Sequence, residues 1–290
     1  MGTGRWGSVI LKTLHTIPSC KVAYQVTRDW RTLLTKNDID GVIIATPPAT
    51  HAQIALPFIR RGIPVFIEKP MTLNVREARK LVAAAKKSRS LVFVGHIHLY
   101  NPAYQETKKL SRTLGKIRFL LGEGGSIGPF REDYSAMWDW SHAVYLMVDI
   151  MGKMPQKVSA WAGASLRPKT KLWSSSQIKL DFKGGTTGYI LSSSLLPQKR
   201  SRLTIVGEKS SLVYDDILPK QKVTSYQKNK VSFPPYKAAM PLTRELEAFL
   251  KGIKKKEKPV SGIAQGLAVV QILDAAERSI AHGGASIALS

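Results

Sequence analysis

Four short stretches of this 290-residue chain carry residue types that could do chemistry. Gly2-Thr3-Gly4-Arg5-Trp6-Gly7 fits G-x-G-x-x-G and runs into an apolar helical stretch, Ser8 to Leu14. Glycines at that spacing allow a tight turn, a close backbone approach to a pyrophosphate, and packing of the next helix on a sheet. The helix N-terminus then offers free N–H groups to phosphates. An ordinary glycine turn reads the same way. Ala45-Thr46-Pro47-Pro48-Ala49-Thr50-His51 follows a strand end, where open parallel sheets bind ligands, although a plain βα loop fits equally. Glu68-Lys69-Pro70 closes another apolar strand. A Glu and a Lys there are costly to bury unless they pair, hydrogen-bond or meet a ligand; a solvated strand exit is the alternative. The X-Pro bond also permits a cis form, which would aim Lys69. Asp139-Trp140-Ser141-His142 opens an apolar helix over Ala143–Met151 that Gly152 ends. At i, i+3 spacing Asp139 and His142 can share a side. An imidazole at a helix N-terminus is held neutral by the dipole and suits general-base work. An Asp N-cap beside a half-buried His is the plainer reading.

The elements that must position these residues are legible from periodicity. Val42–Ala45, Val65–Ile67 and Leu91–Val94 are short, continuously apolar runs, as strands buried on both faces of a parallel sheet should be. Helices separate them: His51 to Arg61, with Ile54, Ala55 and Phe58 on one face, and Asn74 to Lys87, opened by a capping-box pattern of Asn74 with Glu77. Strand–helix–strand alternation gives a right-handed parallel α/β unit. The pattern changes after about residue 115. Ile178, Leu180 and Phe182 alternate with Lys179, Asp181 and Lys183, which reads as a half-exposed antiparallel strand. Further strand candidates are 116–121, 157–164, 186–193, 202–206 and 211–214. Helices over 242–253 and 264–282 follow, the second ending at Gly283-Gly284, a C-cap signal. The expected fold class is α/β followed by α+β: an incomplete Rossmann-type parallel sheet over residues 1–98, then an open antiparallel sheet with helices over residues 99–290.

Composition narrows the function classes. The 43% hydrophobic fraction excludes a disordered chain, and the single Cys20 excludes a disulfide scaffold. No apolar run approaches the ~18 residues of a membrane span, and the apolar stretch at Val9–Leu11 stops at Lys12, too short for a secretory signal. Met1-Gly2 has Trp6 where a myristoylation motif needs Ser or Thr. A cytoplasmic protein is the expectation. The net charge is +24, and it is spread out: 20 basic and 6 acidic side chains lie in residues 1–120, 24 and 14 in the rest. The Lys254–Lys256 run reads as a solvated turn. Without zinc-finger spacing, an RNP-type strand or a basic zipper, nucleic acid is not the expected partner. A positive field would instead recruit an anionic small substrate or cofactor.

Taken in order, these pieces resemble the Gfo/Idh/MocA family of NAD(P)-dependent oxidoreductases. The resemblance is carried by GTGRWG at 2–7, ATPPATH at 45–51, EKP at 68–70, VGHIHLYNP at 94–102 and WDWSHAVYLMVDIMG at 138–152. GEGGSIGPFRED at 122–133, RLTIVGEKSSLVYDD at 202–216 and GLAVVQILDAAERS at 266–279 look like the family's second domain. The resemblance implies NAD or NADP as cofactor and no metal. It also implies a sugar or nucleotide-sugar substrate, oxidised at a secondary alcohol, and a dimer or tetramer built through the C-terminal sheet. Carried over, Gly2, Gly4, Arg5, Trp6 and Gly7 would hold the pyrophosphate. Thr46, Pro47 and His51 would line the cofactor path, and Glu68 would contact the nicotinamide side. Lys69 would hydrogen-bond the reacting oxygen, Asp139 would orient the substrate, and His142 would be the acid/base. His96, Asn101 and Arg131 are the substrate-side candidates.

Three departures from the family pattern bear on this. The chain starts at the glycine turn, so the family's first strand is expected to be absent. The stretch after Gly7 is short and holds no Asp or Glu before Arg28, so the acid that would bind an NAD ribose is missing; Lys21 or Arg28 would suit a 2′-phosphate. Asp139 and His142 are three apart where the family shows four, and one residue turns a helix by about 100°. An alternative reading is therefore a catalytically inactive relative serving as a binding or scaffold subunit.

Overall fold

The computed structural model describes residues 1–128, 130–163, 165 and 172–289. The chain forms two compact units: Met1–Tyr100 with Ala239–Val270, and Asn101–Ala238 with Gln271–Ser290. In the first, α1 (Arg5–His15), β1 (Val42–Ile44), α2 (Pro48–Arg60), β2 (Val65–Glu68), α3 (Val75–Ser88) and β3 (Val92–Gly95) alternate, with 3-10 turns at Trp30–Thr35 and Ile97–Tyr100. The three strands form one parallel sheet in the order β1-β2-β3. Every residue of β2 and β3 is buried, which is why those runs carry no polar alternation. Half of the capping box forms: Asn74 accepts the Glu77 backbone N–H at 2.9 Å. On its other edge β1 meets Met1, whose nitrogen donates to the Ile43 carbonyl (2.7 Å) and whose carbonyl accepts from Ala45 N–H (2.9 Å). A cavity of about 460 Å³ lies beside that edge, lined by Ile10, Leu14, Val22 and Ile43 among others.

In the second unit, α4 (Pro102–Ser111) leads to β4 (Ile117–Gly125), α5 (Ala136–Asp139) and α6 (His142–Met151). Then come β5 (Lys157–Gly163), β6 (Ser175–Asp181), β7 (Thr187–Ser193), β8 (Arg200–Gly207), β9 (Ser211–Asp215), β10 (Val223–Gln227) and β11 (Lys230–Ser232). Helix α7 (Pro241–Lys255) belongs to the first unit, α8 (Ile263–Ala281) contributes to both, and β12 (Ile287–Ala288) ends the second. The nine-stranded sheet runs β11-β10-β9-β8-β4-β7-β6-β5-β12. It is not wholly antiparallel as expected: β4 and β7 pair in parallel. The reason is connectivity, since α5, α6, β5 and β6 lie between them and no hairpin constrains their direction. The last residue of the expected 157–164 strand, Ala164, and Pro129 in the 122–133 motif lie outside the described residues.

Each unit's core follows from the same patterning. Phe66 and Phe93 of the parallel sheet meet Phe249 of α7 edge-on, with ring centroids 5.7 and 5.2 Å apart. In the second unit α6 lies on β4 at Gly122, where a Cβ would collide with that of Ala143. This close approach fixes the start of α6, and with it His142.

Candidate functional site

In the first unit the glycine motif divides its labour as the spacing requires. Gly2 adopts φ +85°, and a Cβ there would stand 2.5 Å from the Ala45 carbonyl oxygen. A Cβ on Gly7 would collide with the Gly2 carbonyl, so Gly7 lets α1 close onto the turn. Gly4 has nothing within 4 Å of that position: its backbone faces open space at the N-terminus of an eleven-residue helix. The donor chemistry there, backbone N–H groups with no side chain in the way, fits a pyrophosphate. Arg5 opens α1 and is exposed.

Trp6 turns its indole N–H to Glu68 Oε1 at 2.7 Å, and Glu68 Oε2 accepts the Lys69 backbone N–H at 3.1 Å. Gly95 of β3 makes room for this carboxylate, because a Cβ there would stand 2.7 Å from Oε2. Burial pushes the Glu68 carboxyl up to about 7, against the Trp6 hydrogen bond and the Lys69 charge. Lys69 follows at the strand exit, joined to Pro70 by a cis bond. The glycine turn and the Glu68-Lys69 pair, 60 residues apart in sequence, are thus tied together by one hydrogen bond.

His51 is fully buried and bridges two loops, its Nδ1 3.0 Å from the Pro70 carbonyl and its Nε2 2.8 Å from the Thr46 carbonyl. Burial lowers its pKa, and the carbonyls oppose this. Thr46 Oγ1 accepts from Thr50 (2.8 Å), and Pro47 sits at the N-cap of α2. His96, also buried, faces Gln265 with Nδ1 2.8 Å from Oε1; burial first and then Lys69 push it down to about 4, so the ring is neutral at pH 7. Glu245 of α7 is wholly buried, and neither carboxyl oxygen has a hydrogen-bond partner among the described residues. Burial and then Glu68 hold its carboxyl well above the ordinary range.

In the second unit Asp139 ends α5, Trp140 breaks the helix, and His142 begins α6, so the two residues do not stand on one helix. Asp139 takes Arg131 on both oxygens, at 3.1 Å from Nε and 3.2 Å from Nη2. His142 Nδ1 lies 3.0 Å from the hydroxyl of Tyr145. Asn101 accepts from Ala103 N–H at the start of α4 (3.0 Å) and donates to Asp216 (2.8 Å). Thus Gly2, Gly4, Trp6, Gly7, Thr46, Pro47, His51, Glu68, Lys69 and His96 belong to the first unit, and Asn101, Arg131, Asp139 and His142 to the second.

Glu245, Gln265 and Tyr145 escaped the sequence reading. Glu245 had a signal: with Leu242, Leu246 and Phe249 it falls on one helical stripe, a carboxylate in line with three buried apolar residues. Tyr145 had a weaker one, its i, i+3 offset from His142.

Comparison with known proteins identifies the family. The profile of an oxidoreductase family with an NAD-binding Rossmann fold matches residues 11–96, and that of the same family's C-terminal alpha/beta domain matches residues 136–289. A putative oxidoreductase from Magnetospirillum magnetotacticum is 31% identical, with a TM-score of 0.85 over 94% of this chain and 97% of that one. Oxidoreductase P35 of Formosa agariphila is 45% identical over 87 residues, 29% of this chain and 27% of the relative. UDP-N-acetylglucosamine 3-dehydrogenase of Acidithiobacillus ferrooxidans is 27% identical over 172 residues, 58% of this chain and 53% of the relative. The chain thus spans about a quarter and about half of the lengths of these two curated relatives. With both profiles matched and the glycine cradle in place, the chain belongs to the Gfo/Idh/MocA family of oxidoreductases.

Proposed function

We propose that this chain oxidises a secondary alcohol of a sugar or nucleotide-sugar, with NAD as the hydride acceptor. The observation that carries the reading is the Trp6–Glu68 tie, which sets the glycine cradle and Lys69 at one end of one parallel sheet. When bound, NAD supplies the site for the hydride leaving carbon. The backbone of residues 2–7 holds its pyrophosphate. The Lys69 ammonium stabilises negative charge developing on the substrate oxygen. His142 carries the acid/base role that the family resemblance gives it. Asp139, held by Arg131, orients the sugar. The nucleotide-sugar class draws on the printed activity of the Acidithiobacillus relative, and the basic charge of the chain favours an anionic substrate of that kind.

The test is a fluorescence titration with NADH and NADPH, followed by turnover on UDP-N-acetylglucosamine and on myo-inositol. Saturable NADH binding, with turnover lost in Lys69→Met and His142→Gln while NADH still binds, is the expected result. A folded protein that binds neither nucleotide refutes the enzyme reading and favours a scaffold subunit. Steep salt-dependent DNA binding without nucleotide affinity refutes both.

A further inference from the structure

The second unit contains a contact that the proposed chemistry does not yet use. His142 is the first residue of α6, and Tyr145 follows one turn later with its side chain fully buried. Their rings meet edge to face, with centroids 5.7 Å apart and planes at 86°, and Tyr145 Oη stands 3.0 Å from His142 Nδ1. Because both residues sit on one helix, this distance is set by the helical repeat and not by a mobile loop. Tyr145 is fully buried, and in the same unit Tyr104 stacks edge-on to Tyr214 (5.7 Å) and donates to Asp149 (2.7 Å).

A neutral imidazole carries its proton on one nitrogen, and the partner of that nitrogen decides which face acts as base. We propose that Tyr145 is the positioning residue of His142: its hydroxyl oxygen accepts the Nδ1–H, so that Nε2 carries the lone pair that takes up the substrate proton. A phenol can fill this place because its oxygen can accept a hydrogen bond as well as donate one. The arrangement follows the nucleophile–base–orienter logic in which a third group fixes the tautomer of the base. The base role rests on the oxidoreductase reading; the tautomer does not.

The experiment is long-range 1H–15N correlation on the full chain with 15N-labelled histidine, the His142 signals being assigned by their loss in His142→Gln. The wild-type protein should show His142 as the Nδ1–H tautomer. Tyr145→Phe, which removes one oxygen, should move it toward Nε2–H and lower kcat/KM about ten- to a hundred-fold, the usual cost of losing an orienting partner. Tyr104→Phe, a comparable loss in the same unit, should leave the tautomer unchanged. A wild-type Nε2–H tautomer, no tautomer change in Tyr145→Phe, or a change with kcat/KM held within twofold overturns the proposal. Expected tautomers in a chain that oxidises no substrate refute the oxidoreductase reading alone, and the positioning of His142 by Tyr145 stands.

Discussion

Replacing Glu245 with leucine should stabilise the protein, and by an amount that grows with pH. Glu245 lies on the apolar stripe of α7 beside Leu242, Leu246 and Phe249, with both oxygens buried and unbonded among the described residues. Its carboxyl keeps its proton in the folded state, whereas in the unfolded chain it ionises near 4.5. Above that pH the folded state binds one more proton than the unfolded state, so stability falls as pH rises. The slope is about 1.4 kcal/mol per pH unit until the folded carboxyl ionises. Glu245→Leu lacks this slope, so its advantage over wild type should widen as pH rises above the ordinary carboxylate range, by up to about 1.4 kcal/mol per pH unit. The measurement must be a difference between variants, because His96 in the same unit opposes it. Held at about 4 against 6.5 when unfolded, His96 makes wild-type stability fall as pH drops through that window. Urea denaturation of wild type, Glu245→Leu and Glu245→Gln at pH 5.5, 6.5 and 7.5 reads the effect. A difference that stays flat across the three pH values would refute the reasoning, since it would mean that Glu245 titrates alike in both states.

Other outcomes follow from single contacts. Substituting His96 with asparagine should remove up to about 3 kcal/mol of the stability lost between pH 6.5 and 4, visible as a flatter acid limb in melts. His51→Leu removes the single N–H that a neutral imidazole gives to the Pro70 or Thr46 carbonyl, and the orphaned buried carbonyl costs about 1–3 kcal/mol, measurable by denaturant titration. Trp6→Phe loses the donor that ties the glycine turn to Glu68, so NADH affinity should weaken several-fold in the fluorescence titration while the fold survives. Tyr104→Phe removes a hydrogen bond to the Asp149 carboxylate, worth about 1.5–3 kcal/mol, and should lower the melting temperature without touching nucleotide binding.

What the sequence disclosed and what it hid divide along a physical line. The parallel strands were legible because burial on both faces writes itself as an unbroken apolar run, and β2 and β3 lie within a residue of the expected positions. The capping residue Asn74 and the C-cap Gly152 (φ +62°) were legible because one backbone conformation demands one residue type. The short strands β10, β11 and β12 were not: Thr224, Ser225, Gln227 and Lys230 alternate too little to stand out from a loop, and the sheet supplies their reason to be extended. The candidate site shows the same division. Residues whose place is set by the backbone, the glycines of the turn and the Glu68-Lys69 strand exit, could be located from spacing.

Contacts between residues distant in sequence could not. Trp6 meets Glu68 across 62 positions, and His96 meets Gln265 across 169. No local pattern encodes either pair, so Gln265 passed as one more polar residue of a helix. Glu245 is the instructive intermediate case. Its place on an apolar stripe was visible in the sequence, but the cost of that place, a buried carboxyl with no hydrogen-bond partner among the described residues, appears only once the neighbours are known. A titratable residue on the buried stripe of an amphipathic helix is therefore the signal to seek when the site's motifs have been read and its electrostatics have not.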